Sequence, residues 1–221
     1  MADSNPLFDL KKFKEMAKDG LVNKPYSYDS HSEALFTMAL ALSAAVKKVF
    51  YEKSEYKFSA EPALQKMPIV QFVSRMRIDA MEKFNNTTFL SAVHFYRDAA
   101  ALGKDQPLGL IIVYIERTFV PEMLRLFKYP YIDYDNNDEV LDGIGAISNL
   151  IAGSFKIELG RLGYVDLEMS HFRSAINSVL DGLEYCKNQN QKYEISFEID
   201  GKKRMVVELV MDPLPKVIKE D

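Results

Sequence analysis

Asn149 and Asp142 lie in the segment DEVLDGIGAISNLIAGSFKIELGRLGY, residues 138–164, and their types and setting suit work on another molecule. At about 100° per residue, a helix over this segment places Val140, Ile144, Ile147, Ile151 and Phe155 on one face. Asp142, Ala146, Asn149, Gly153 and Lys156 fall on the opposite face, flanked by Gly145 and Ala152. An amide can orient water or a partner through hydrogen bonds but cannot act as a general base. Gly143, Gly145 and Gly153 each weaken a helix by roughly 1 kcal/mol relative to alanine. A plain solvent-facing helix would carry Glu, Lys and Gln instead. Small residues admit a close neighbour, and helix geometry leaves two occupants open. One is a partner or ligand near Asn149; the other is an element of the same protein.

Other chemistry-bearing residues are dispersed. His31, His94 and His171 form no HExxH pattern, and no Cys/His spacing suits zinc. His94 alternates with Val93 and Phe95 in an expected strand and reads as a sheet-face residue, and His171 takes the same reading. Cys186 is the one cysteine, so no disulfide closes within the chain, which suits a reducing cytosol. Asp133, Asp135 and Asp138, with Asn136 and Asn137 among them, lack the Gly and terminal Glu of a calcium loop. They read as a turn and helix cap. Gly143-Ile144-Gly145 sits inside a helix, without the spacing or preceding strand of a dinucleotide loop.

The elements that would position these residues are legible from apolar periodicity. A helix is expected from Ser32 to near Lys53, with Leu35, Met38, Leu42, Val46, Val49 and Phe50 at helical spacing. Residues 68–80 have strand-like content, and Thr88–Arg97 and Leu108–Glu116 read as a hairpin around a breaker-rich turn. Helical spacing resumes over Thr118–Lys128, with Pro121 in the first turn, and a loop spans Tyr129–Asn137. The second long helix should run from Asp138 to about Leu162. Tyr164–Met169 and an undetermined stretch to Asn190 precede a final hairpin turning at Gly201-Lys202. The expected fold class is α+β, an antiparallel sheet packed against long helices. Ser32-Glu33-Ala34-Leu35 and Asp138-Glu139-Val140-Leu141 hint at two pseudo-similar halves. Residues 1–30 read as an extension, 31–212 as one domain and 213–221 as a tail.

Bulk properties narrow the class. A net charge of -4 argues against a general nucleic-acid binder. The N-terminal segment lacks a signal-peptide core, and the longest apolar run, Ala39–Val46, is far too short to span a bilayer. The expectation is a cytoplasmic protein with no membrane or nucleic-acid partner.

The helix text resembles the CheC/CheX/FliY phosphatase family, and its CheX type in particular. The family motif is Asp or Ser, three residues, Glu, two residues, Asn. It often reads D-x-x-x-E-x-x-N-x-I-A-G-x-x-K-x-x-L. Here Asp142, Asn149, Ile151, Ala152, Gly153, Lys156 and Leu159 stand in register, while Ala146 holds the Glu position. The Gly109–Glu116 strand, the Thr118–Lys128 helix, Gly163-Tyr164 and the closing hairpin also fit. The downstream proline of the pattern is absent from Glu168-Met169-Ser170-His171-Phe172. The resemblance is strongest over 88–211 and leaves out 1–30.

The resemblance implies removal of phosphate from the aspartyl-phosphate of a CheY-like receiver. In the family the Asn orients the attacking water and the Glu pairs with a receiver lysine. Carried over, Asn149 is the catalytic amide. Asp142, one turn before Ala146, is the acid able to substitute in part for the missing carboxylate. Gly145, Ala146, Ala152, Gly153 and Lys156 become the partner-binding surface. The implied protein needs no cofactor in this chain, because the receiver brings its own magnesium, and it pairs as a homodimer. The function expected is receiver docking, with phosphatase activity weakened or lost through Ala146. The alternative is a non-catalytic dimeric binding or small-molecule-sensing module.

Overall fold

The computed structural model describes residues 30–69, 83–84, 86–130, 132–176 and 191–212. The readings of residues 1–29 as an extension, of 70–80 as strand and of 213–221 as a tail lie outside them.

The first long helix, α1 (Ser30–Ser54), carries Glu33 in its first turn and Lys53 in its last, complementing the helix dipole. The Ser54 hydroxyl donates to the Phe50 carbonyl at 2.7 Å. Strand β1 (Ala63–Pro68) follows, an element the sequence pattern did not suggest. Strand β2 (Thr88–Tyr96) comes next. The breaker-rich turn then proves to contain a short helix, α2 (Ala99–Gly103). Asp98 caps it, accepting the Ala101 N–H at 2.8 Å. Strand β3 (Gly109–Glu116) leads through a 3₁₀ turn at Arg117–Phe119 into α3 (Val120–Leu126), with Pro121 in its first turn.

The second long helix is α4 (Asn137–Arg161). Its start is built from the acidic loop, which acts as a turn and cap. The Asn136 side chain accepts from the Asp138 N–H at 3.1 Å, and Glu139 reaches back to Asn136 Nδ2 at 3.0 Å and the Asp133 N–H at 3.1 Å. Short strands β4 (Glu168–Met169) and β5 (Arg173–Ile176) follow. The closing hairpin is β6 (Gln191–Ile199) and β7 (Lys202–Met211). Its turn is Asp200-Gly201, one residue earlier than expected, with φ of +53° and +70°. Two left-handed residues make a hairpin turn that matches strand twist, and Asp-Gly is a preferred pair for it.

Among the described residues the strands form one seven-stranded sheet in the order β1-β6-β7-β3-β2-β4, with β5 also on β2. Every pairing is antiparallel. Helices α1 and α4 pack on each other and cover one face. Phe89, Phe95, Ile111, Val113, Tyr193, Phe197 and Leu209 are buried under them. Phe155 of α4 meets Phe95 edge-on at 5.5 Å between ring centres. Glu33–Ser54 and Asn137–Arg161 are long and apolar enough to cross a membrane by length and composition, which the short apolar run did not suggest. Within the domain, 61% and 56% of those windows are buried, so their apolar faces serve the core.

The opposite sheet face holds a second, smaller cluster: Leu90, Ala92, Leu110, Ile112, Tyr114, Val206 and Val210, joined by Phe84. Among them lies a charge network. Lys83 bonds Glu194 and, at 2.5 Å, Glu208. Lys192 reaches Glu208 at 2.6 Å, Lys203 reaches Glu194 at 3.1 Å, and the Tyr114 hydroxyl donates to Glu208 at 3.0 Å. Burial alone would push the Glu194 carboxyl up, but the Lys83 ammonium and then Lys203 outweigh it and hold it below its ordinary value. Burial would likewise lower Lys83, yet Glu208 and Glu194 together raise it.

Removing Lys83 takes away the counter-charge shared by both glutamates and leaves Glu194 to Lys203 and Glu208 to Lys192. Lys83→Met should therefore cost about 1–3 kcal/mol in chemical denaturation. Because the folded Glu194 carboxyl titrates below its unfolded value, its contribution is complete above pH 4.5 and is lost as pH falls through the folded value. Glu194→Gln should accordingly flatten the decline of stability below pH 4.5 relative to the wild type.

Candidate functional site

Helix α4 presents the expected residues on two different sides. Val140, Ile144, Ile147, Ile151, Phe155 and Leu159 are buried toward the sheet and α1. Asp142 and Asn149 are exposed, and Ala146, Gly153 and Lys156 are half-buried beside them. These five share one solvent-facing strip. Among the described residues, neither Asp142 nor Asn149 makes a side-chain hydrogen bond or ion pair, so both heads face outward. Lys156 instead pairs with Glu168 of β4 at 3.5 Å.

Gly145 and Ala152, grouped by helical spacing with the partner-binding surface, are buried in the domain. The reason lies in the β4–β5 connection. Phe172 lays its ring against Gly145 so closely that an added Cβ would stand 2.1 Å from it. Gly143 is similarly crowded, where a Cβ would meet Leu124 at 2.8 Å and Ile132 at 3.2 Å. Gly153 differs, since nothing would lie within 4 Å of its Cβ. Gly143 and Gly145 thus serve packing inside the protein, and Gly153 keeps the strip low and open.

Two apolar residues missed by sequence reasoning flank the strip. Leu150 and Ile157 are 40% and 55% exposed. They lie seven residues apart on α4, two turns along one line next to Ala146 and Gly153. Their spacing was the available signal, obscured because each reads as a core residue in isolation. The other end of the strip carries Tyr129, whose phenol is raised by burial and then by the nearby Asp142 carboxylate. Asp142 is therefore felt by a neighbour although it bonds none of the described residues.

The arrangement offers an outward amide, an outward carboxylate two turns away, and an adjacent apolar ledge. It suits recognition and the orientation of a water or a partner group. Among the described residues, none places a base against Asn149 by hydrogen bond or ion pair, and no group of three His, Cys, Asp or Glu could hold a metal.

Alanine substitutions should separate the two kinds of glycine. Gly145→Ala must displace Phe172 and should destabilise by about 1–3 kcal/mol. Gly153→Ala should stabilise by up to about 1 kcal/mol, because it adds helix propensity without a clash. Urea denaturation of both variants measures the difference.

No family model and no curated protein matches this chain. Solved structures do. FliY from Thermotoga maritima superimposes with a TM-score of 0.54 at 11% identity, over 85% of this chain and 92% of that one. The chemotaxis protein CheX from Desulfovibrio desulfuricans gives 0.51 at 12% identity, over 80% and 99%. A CheC-like superfamily protein from Shewanella sp. PV-4 gives 0.50 at 15% identity, over 80% and 97%. At such identities the likeness is one of fold, and the chain has the CheC/CheX-like fold.

Proposed function

We propose that this protein is a CheX-like component of bacterial two-component signalling that docks on a CheY-like receiver through the exposed strip of α4. Its aspartyl-phosphate phosphatase activity is weakened or lost, because Ala146 stands where the motif carries Glu. The observation that carries the reading is the outward Asn149 on α4, at the motif position of a CheC/CheX-like fold, with no side-chain partner among the described residues. In the reaction proposed, Asn149 holds the attacking water in line with the phosphorus of the receiver's aspartyl-phosphate. The receiver brings its own magnesium and the electrophile, so a single positioning residue can contribute rate without a base. Asp142 supplies an exposed carboxylate on the strip to meet a receiver cation. Leu150 and Ile157 add apolar contact beside it.

Ala146 favours a second reading, in which the strip binds a receiver and performs no chemistry. Both readings place the protein in the cytoplasm, where receivers act, and both include the homodimer, which light scattering would detect.

A dephosphorylation assay against a panel of phosphorylated receivers distinguishes them. Under the phosphatase reading the wild type is slow, Asn149→Ala removes what rate there is, and Ala146→Glu raises it by about 10- to 100-fold. An Asn149→Ala variant as active as the wild type would exclude the water-positioning role. Receiver binding with no gain from Ala146→Glu would favour the binding module. Absence of binding in either phosphorylation state would end both.

A further inference from the structure

The exposed arc of α4 is ordered into three rows, each repeating every seven residues. Leu150 and Ile157, 40% and 55% exposed, form one margin. Asp142, Asn149 and Lys156 form the other. Ala146, Gly153 and Gly160 run between them, and among the described residues nothing would lie within 4 Å of a Cβ at either glycine. A straight helix drifts by only about 20° per seven residues, so the rows lie nearly along the axis. Two large apolar side chains at this period, beside a low middle row, make a seam of the kind on which another helix packs.

The margins decide which helix. A two-fold axis that sets α4 antiparallel to the α4 of a second copy keeps like margins together, apolar against apolar and polar against polar. With the axis between Leu150 and Gly153, the Leu150 and Ile157 side chains of the two copies alternate along the seam. The backbones come closest at Gly153, where no side chain holds them apart. On the polar margin, the antiparallel sense brings Asp142 of each copy toward Lys156 of the other. Asp142 bonds none of the described residues. Lys156 meets Glu168 at 3.5 Å, and its ammonium has three donors, so it can serve a second carboxylate. A parallel pairing would lay the apolar margin against the polar one and set Asp142 level with Asp142.

We propose that two copies of this protein pair through α4, antiparallel, and that the pairing covers Asn149. The consequence for signalling rests on the docking reading above: receiver and second copy compete for one strip, so self-association withholds the docking surface. A single helix pair buries less than the roughly 1,200 Å² of a standard stable interface, so the pairing is weak and follows protein concentration.

Sedimentation equilibrium of the full-length protein should show a reversible monomer–dimer equilibrium in the micromolar to millimolar range. Ile157→Glu should weaken it by about tenfold or more. Asp142→Lys and Lys156→Glu should each weaken self-pairing, while an equal mixture of the two should pair again, because each copy then carries the charge the other lacks. Recovery in the mixture also shows that both variants are folded. In a Cys186→Ser background, Gly153→Cys should oxidise to a disulfide-linked dimer. Gly160→Cys should not, since antiparallel pairing holds the two Gly160 positions roughly 25 Å apart. Asn149→Cys in the same background should react with a maleimide more slowly as concentration rises through the dimer range. A wild type monomeric throughout, or a dimer that Ile157→Glu leaves intact, would overturn the proposal. So would a charge-variant mixture that stays monomeric, cross-linking at Gly160→Cys rather than Gly153→Cys, or an Asn149→Cys rate independent of concentration. None of these readouts contains a receiver, so failure here leaves the docking reading standing, and failure of receiver binding leaves the pairing.

Discussion

The contact of α4 with α1 and the sheet sets the terms for the rest of the molecule. Helix α4 buries Val140, Ile144, Ile147, Ile151, Phe155 and Leu159 on one side, and Gly145, Ser148 and Ala152 on the adjoining side. What remains to solvent is an arc of roughly a third of its circumference. Any function of this helix must be conducted through that arc. Asp142, Ala146, Asn149 and Gly153 occupy its middle, and Leu150 and Ile157 its margin. A core that claims so much of the helix restricts the site to a narrow strip and also holds that strip firmly.

The sheet answers a complementary constraint. One face is covered by two 25-residue helices, while the other carries its own apolar cluster and a charge network around the buried Glu194 and Glu208. An antiparallel sheet can leave one face wet, with polar residues alternating outward. This one does not, since Leu110, Ile112, Tyr114 and Val206 on that face are buried as fully as the helix side. Lys83 lies between two glutamates of neighbouring strands, with a third strand's Tyr114 beside them. Each buried glutamate is therefore matched by two lysines, as its removal from water requires.

Much of this was legible in the sequence where the signal was local. The two long helices follow from apolar spacing, and the helix-facing positions of α4 follow from rotation per residue alone. The closing hairpin was visible from alternation, but its turn was misplaced. Gly201 drew attention, and Asp200 adopts the left-handed conformation just as well. Strand β1 escaped notice because its side chains are exposed or half-exposed throughout, so no alternation marks it. Helix α2 was hidden among breakers, although Asp98 and three alanines make a capped turn of helix. The position of Phe172 against Gly145 was beyond reach, because it depends on where the β4–β5 connection passes in space. That non-local contact decides which small residues belong to the surface and which to the interior.

The Phe172 ring behaves as a key in the keyway that Gly145 opens along α4. Rotation of the helix about its own axis, or a slide by one turn, would first require the ring to withdraw. The strip bearing Asn149 is thus indexed to the sheet edge in angle as well as in position. A partner meeting the strip encounters a surface whose orientation is already set, and little ordering entropy is left to lose at that contact.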